Sequence, residues 1–236
     1  MTGEREPVRS ARKAIRSGGL CGPCLRVLPV TGVTVSTLSG PIHTETVCAS
    51  DDVAFRLDEL QFDLGEGPAW EAFASRRPVL VPDLSTDPQP SWPVFTAAVQ
   101  PMPVRALFAF PLYVGATGVG VLDCYRTGPG PLDRRAVREA RVLADTVAAE
   151  LLRRVLAADD PDLGDQATSD WSGPWRELPL DRRQIHQATG MVMAQLDLPV
   201  GAAFARLRGH AFATGLTLAE AAAAVVAGRL LLTGDG

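Results

Sequence analysis

Arg182 and His186 stand four residues apart, as do Arg183 and Gln187, and as do Arg206 and His210, with Arg208 between the last two. On a helix, residues at that spacing share one side. Two neighbouring helices built this way would each present an arginine and a histidine. Such a set is either a solvated polar face or a patch for nucleic acid. Charge alone favours the solvated face, because from residue 176 onward six Arg stand against five Asp and Glu. The segment HQATGMVMAQL, 186–196, adds an oddity. Gly190 interrupts a good helical pattern just after the polar residues His186, Gln187 and Thr189. A glycine there costs about 1 kcal/mol relative to alanine. Either another backbone packs close to it, or something must reach the helix surface.

The cysteines offer a second chemistry. Cys21 and Cys24 form a single CxxC, without the second pair that completes a zinc site. Reduced thiols are the expectation. Cys48 and Cys124 fall on different predicted strands and could meet. Thiol catalysis needs an accessible sulfur of low pKa, and only His43 and Arg126 stand near them in sequence. His43 alone is a poor basis for a haem site. No phosphate-cradling glycine loop of the Walker type is visible, nor a receiver-type cluster of aspartates. Neither a catalytic residue nor a metal site is expected.

Composition narrows the classes. Hydrophobic residues make up 46% and charged residues 21% of the 236, enough apolar material for real cores. The formal net charge is -4, so generic binding to nucleic acid through overall charge is excluded and any such contact must be local. Lys13 is the only lysine, which with the abundant Ala, Gly and Pro reads as the mark of a GC-rich genome. The N-terminal stretch has charges without an apolar run behind them, unlike a signal peptide. No stretch approaches the roughly 20 apolar residues of a membrane span. A cytoplasmic protein with no membrane partner is the expectation.

The chain falls into three blocks by composition and periodicity. Residues 8–155 mix strands and helices, 156–175 read as a linker rich in Asp, Gly, Pro and Ser, and 176–232 read as entirely helical. In the first block, TGVTVSTL (31–38) alternates and is β-branched, as a strand should be, with IHTETVCAS (42–50) as its hairpin partner. DVAFRLDELQ (52–61) has helical spacing, and a short helix follows the turn GEGP. PVLVPDL (78–84), VRALFAFPLYV (104–114) and GVGVLDCYR (118–126) are further strands. Strands in hairpins flanked by helices predict an α+β antiparallel sheet. A long helix at 134–156 closes the block. Its residues Val137, Ala140, Ala144, Val147, Leu151 and Val155 form either a short heptad seam for a dimer or one face packed on the domain's own sheet.

The second block predicts three helices. Ile185, Ala188, Val192 and Leu196 stripe the first, which Pro199 ends. Val200, Ala203, Phe204, Leu207 and Ala211 face inward on the second, with Gly215 as its stop. TLAE at 217–220 is a capping box opening the third, whose apolar face is Leu218, Ala222, Val225, Val226 and Leu230. So small an all-α bundle is marginal alone.

This block resembles the ANTAR domain, a three-helix RNA-binding module of bacterial antitermination regulators. The resemblance is carried by RRQIHQATGMVMAQL, AAFARLRGHAFATG and LTLAEAAAAVV, with Ala188 and Gly190, Leu207 and Arg208 with Ala211, and Leu218 with Ala222 at the family's pattern positions. Thr189 stands where many members carry lysine. The resemblance implies an RNA partner, two small stem-loops in tandem bound by a homodimer. It places Arg182, Arg183, His186, Gln187, Thr189, Gly190, Arg206, Arg208 and His210 at the RNA. Unstacked loop bases suit arginine planes and histidine rings.

The first block resembles a GAF domain through LDELQFDLGEGPAWEAF, PVLVPDL, WPVF, ALFAFPLYV and GVGVLDCYR. GAF followed by ANTAR is an actinobacterial arrangement. It implies a sensor with a pocket between sheet and covering helix, with Phe62, Trp70, Phe108, Phe110, Tyr113 and Cys124 as candidate lining; the alternative is that most of these are core. No cofactor is expected, and the pocket leaves room for a small-molecule effector of unknown identity. Two other readings stand beside the antitermination regulator. One is a dimeric ligand-binding protein whose helical tail binds a protein; the other is a reductase of free methionine sulfoxide.

Overall fold

The computed structural model describes residues 5–38, 44–86, 91–158 and 180–232; of residues 44, 155, 157, 158 and 180–183 it describes the backbone alone. His43 and residues 159–175 of the expected linker lie outside the described residues. The chain divides into two compact units, one built on a sheet and one on the last three helices.

The first unit holds five strands, β1 (Gly32–Leu38), β2 (Thr44–Ala49), β3 (Val79–Val81), β4 (Ala106–Val114) and β5 (Thr117–Arg126), in the order β2-β1-β5-β4-β3. The pairs β1–β5, β4–β5 and β3–β4 are antiparallel, with Val33 opposite Cys124 and Phe108 opposite Cys124 on either side of β5. Helices α1 (Glu6–Arg16), α2 (Cys21–Val27), α3 (Asp52–Leu64), α4 (Pro68–Ser75), α5 (Pro93–Val99) and α6 (Arg134–Ala158) flank the sheet. The α+β antiparallel architecture expected from the hairpins is present.

Alternation along β1 explains the layering. Val33 and Val35 enter a core shared with Leu143, Val147 and Leu151 of α6 and with Ile15 of α1. Thr34 and Ser36 are buried too, and the Ser36 hydroxyl donates to Asp58 on α3 at 2.5 Å. The Thr46 hydroxyl of β2 donates to the other oxygen of the same carboxylate. One buried acid thus fastens α3 to two strands. Helix α3 is well punctuated: Asp51 accepts from the Ala54 N–H at 2.8 Å, and Gly65 ends it in the left-handed region.

Three helices went unread in the sequence. Helix α1 buries Val8, Ala11 and Ile15 at helical spacing, α2 carries the CxxC, and α5 begins at Pro93. The long helix chooses between its two readings: Ala140, Ala144, Val147 and Leu151 are buried in the unit's own core, so this stripe is not an open dimer seam. Its outer side carries the exposed Val142. The Arg5 guanidinium pairs with Glu139, and Arg12 donates to Thr146 at 3.1 Å, which ties α1 along α6.

The cysteines also depart from the expectation of four reduced thiols. Cys21 and Cys48 are joined in a disulfide with Cα atoms 6.1 Å apart, and Cys24 and Cys124 are free and buried. Cys48 does not meet Cys124, because its position on the edge strand sets it against α2.

The second unit is α7 (Leu180–Leu196), α8 (Val200–Thr214) and α9 (Leu218–Val226). Ile185, Ala188, Val192, Ala203, Phe204, Leu207, Leu218, Ala222 and Val225 are buried, so the three expected apolar stripes converge. Gly215, at φ 71°, ends α8. The capping box is formed: the Glu220 N–H donates to the Thr217 hydroxyl at 3.2 Å, and the Thr217 N–H donates to the Glu220 carboxylate at 2.8 Å.

Candidate functional site

Helix α7 sorts its polar segment by burial. Gln187 and Gly190 are exposed and His186 is half-buried. Thr189 is fully buried, and its hydroxyl donates to the Ile185 carbonyl one turn back at 2.7 Å. The expectation that Thr189 borders an RNA surface therefore meets a packed side chain whose donor is already used inside the helix. The side chains of Arg182 and Arg183 lie outside the described residues.

Gly190 answers one half of the question its presence raised. A Cβ built there meets nothing within 4 Å, so no neighbouring helix needs the glycine. Gly209, inside α8, is equally open. Replacing Gly190 with Ala is expected to stabilise this unit by about 0.5–1 kcal/mol through helix propensity alone. Denaturant melts of the two chains check this, and a loss of stability would show a packing demand on Gly190.

On α8, Arg206, Arg208 and His210 are half-buried. The Arg208 guanidinium lies 5.6 Å from the centre of the Phe204 ring, which holds it by a cation–π contact. Ala205, Gly209 and Phe212 run along the exposed side of the same helix, and Phe212 is 64% exposed. Phe212 escaped the sequence reading. Its spacing of four from Arg208 was the available signal.

The sheet unit holds a cavity of about 10 Å³ between α3 and the strands, lined by Thr34, Leu57, Gln61, Asp123 and Tyr125 among others. Of the six candidates, Phe108 and Cys124 reach it. Phe62 and Phe110 are core. Trp70 and Tyr113 serve elsewhere: the Trp70 indole donates to the Gln61 carbonyl at 2.7 Å, and the Tyr113 hydroxyl donates to the Phe73 carbonyl at 2.7 Å beneath Arg76.

Gln61 is the organiser of this cavity. Its side-chain oxygen accepts from the Ala69 N–H at 2.8 Å, and its amide donates to Asp123 Oδ2 at 2.9 Å. Gly67, at φ 125°, lets the chain pass, since a Cβ there would lie 2.7 Å from Gln61 Cγ. The other carboxylate oxygen, Asp123 Oδ1, is buried and accepts no hydrogen bond from the described residues. Burial pushes the Asp123 carboxyl up to about 8, with the charge of Asp58 adding to the rise and Gln61 opposing it. Asp123 was missed because one acid inside GVGVLDCYR looks like the polar member of an alternating strand.

An antiparallel sheet between helices with a small acidic cavity, on one chain with a three-helix bundle, defines a modular protein with one sheet unit and one helical unit. The chain belongs to the GAF domain family, which residues 29–151 match, and residues 177–226 match the ANTAR domain family. It is accordingly a regulatory protein of signal transduction and transcription. No curated sequence matches the chain.

Among solved structures, the GAF domain of an Acinetobacter phosphoenolpyruvate-protein phosphotransferase is similar at TM-score 0.50 and 10% identity, over 64% of this chain and 93% of that one. The type II free methionine-R-sulfoxide reductase of Thermoplasma acidophilum is similar at TM-score 0.43 and 14% identity, over 63% and 96%. The chromophore-binding domain of an unusual bacteriophytochrome from R. palustris is similar at TM-score 0.48 and 11% identity, over 64% of this chain, which spans 63% of that domain. At such identities these likenesses speak to the fold alone. Among the described residues no single helix is long and apolar enough to cross a membrane.

Proposed function

We propose that the chain is an RNA-binding regulator that promotes transcription antitermination by holding paired stem-loops in a nascent transcript, under the control of its GAF unit. The match of residues 177–226 to the ANTAR domain carries this reading. The open glycines support it: Gly190 and Gly209 let a backbone from outside approach α7 and α8, with Gln187, His186, Arg206 and Arg208 close by in sequence. Loop bases are read by stacking and edge hydrogen bonds, and phosphates by arginine. The mechanism is competition between RNA folds, in which no bond is broken. The Gln61–Asp123 cavity, at about 10 Å³, is the size of a single water, which could donate to Oδ1; a small-molecule effector needs a wider space in the GAF unit. A homodimer would present two such helical units, and the exposed Val142 on the outer side of α6 is one place for its contact.

The test is a titration of the full chain against RNA carrying two short stem-loops, one stem-loop, or a scrambled sequence, at two salt concentrations, with mass in solution measured by sedimentation. Preference for the paired stem-loops supports the reading. Equal, salt-sensitive binding to all three reduces it to a generic arginine patch. A second reading, a tail that binds protein, draws on the uncharged exposed row of Ala205, Gly209 and Phe212, and predicts no RNA binding at all.

A further inference from the structure

Four cysteines from three elements meet at one core. Cys21 and Cys24 lie on α2, Cys124 on β5, and Cys48 packs against them from edge strand β2. Cys21 is bonded to Cys48, and the other two are free. A regulator that binds nascent RNA works where transcripts are made, and small thiols there keep lasting disulfides rare, so those that form are transient and redox-responsive. To that extent the inference rests on the RNA-binding reading.

We infer that the Cys21–Cys48 pair is a reversible dithiol–disulfide switch, exchanging with a low-molecular-weight thiol, that fastens edge strand β2 to α2.

Accessibility assigns the roles. Cys21 is 1% exposed, whereas Cys48 is only half-buried at the sheet edge. An incoming thiolate therefore reaches Cys48 Sγ first. Its attack breaks the bond to Cys21, forms a mixed disulfide on Cys48 and releases Cys21 as a thiolate, which takes a proton. A second small thiolate then attacks the small-molecule sulfur of that mixed disulfide. It leaves as the oxidised small disulfide and frees Cys48, which takes a proton in turn. Two electrons have passed to the protein, and the small disulfide reverses both steps.

The remaining thiols stay out of the exchange. Burial pushes the Cys24 thiol up to about 12 and raises that of Cys124 well above its ordinary value, so both remain protonated and unreactive. The fold leaves Cys24 inert and gives Cys21 a partner 27 residues away.

The bond matters because β2 is an edge strand, with a strand neighbour on one side only. Beyond that neighbour, the disulfide joins it to α2, the Thr46–Asp58 hydrogen bond joins it to α3, and Val47 and Ala49 pack on the cores beneath. Reduction releases β2 from α2 and leaves the inner strands β1, β5 and β4 paired.

The full chain is equilibrated in glutathione buffers of graded ratio, quenched with acid, unfolded and alkylated, and weighed by mass spectrometry. The expected result is a reversible change between two and four alkylated cysteines. The melting temperature of the sheet unit falls by roughly 5–10 °C in the reduced form, and the β2 amides exchange about tenfold faster. Cys48→Ser melts at the reduced value in every buffer. Four alkylated cysteines throughout, two throughout, or a melting temperature that Cys48→Ser does not change would each overturn the switch. RNA titration of the same samples keeps the two ideas apart: loss of RNA binding in both redox forms removes the RNA reading without altering the thiol count.

Discussion

Asp123→Asn stabilises the sheet unit at pH 8 by up to about 5 kcal/mol and flattens its pH profile. Burial disfavours the charged form of the wild-type carboxyl and pushes it from its ordinary 3.8 up to about 8 in the folded chain. With the folded value raised, the folded state holds its proton more tightly than the unfolded chain does. Wild-type stability is therefore complete below about pH 4, falls progressively as the pH rises toward 8, and levels off above it. Asn cannot ionise, yet it keeps an oxygen in place of Oδ2 for the Gln61 amide. At pH 4 the two chains should unfold at nearly the same denaturant concentration. Urea melts from pH 4 to 8.5 decide the matter, and parallel profiles for both chains would mean that Asp123 is not the titrating group. A buried acid held at such a cost suits a site better than a core.

The second large effect is on RNA. Arg206→Ala combined with Arg208→Ala should weaken binding to paired stem-loops by about 10–100-fold at moderate salt. The slope of log affinity against log salt should lose about 2, one for each phosphate contact. Arg208 carries a particular expectation, because the Phe204 ring holds its guanidinium in place before RNA arrives. Phe204 itself is fully buried, so the arginine, not the ring, is the residue to change. Both arginines are half-buried, and the melting curve must be recorded beside the titration. Unchanged affinity and unchanged slope would assign these arginines to packing.

What the sequence made legible was whatever is decided locally. The TLAE box, the Gly215 stop and the alternation of TGVTVSTL each reflect a few neighbouring residues, and each stands in the structure as expected. Helix α1 was legible in principle, since Val8, Ala11 and Ile15 have helical spacing, but the dense charge around them masks the short apolar stripe. Other features depend on where distant segments land. Cys21 finds Cys48 only because β2 is laid at the sheet edge beside α2. Asp123 becomes a buried acid only because α3 covers its side of the sheet. Thr189 reads as a surface residue by polarity, yet it is buried because the Ile185 carbonyl satisfies its hydroxyl. Among the candidate RNA residues Gly190 and Gln187 are exposed, whereas of the aromatic pocket candidates Phe62 and Phe110 are core, Trp70 and Tyr113 bond elsewhere, and Phe108 reaches the cavity. Aromatic bulk marks burial of any kind, and the cavity here is marked by polar atoms.

The glycines of this chain are of two structural kinds. A side chain at Gly120 would put its Cβ 2.1 Å from the Ser36 carbonyl oxygen, so any lineage that keeps the sheet must keep that glycine. At Gly190 and Gly209 the space is open, and alanine would improve the helix. A population drifting under pressure to fold and nothing more would hold Gly120 and lose the other two. If the proposed antitermination needs these open glycines, a library of variants sorted first for folding and then for antitermination would recover Gly190 and Gly209 only in the second sort.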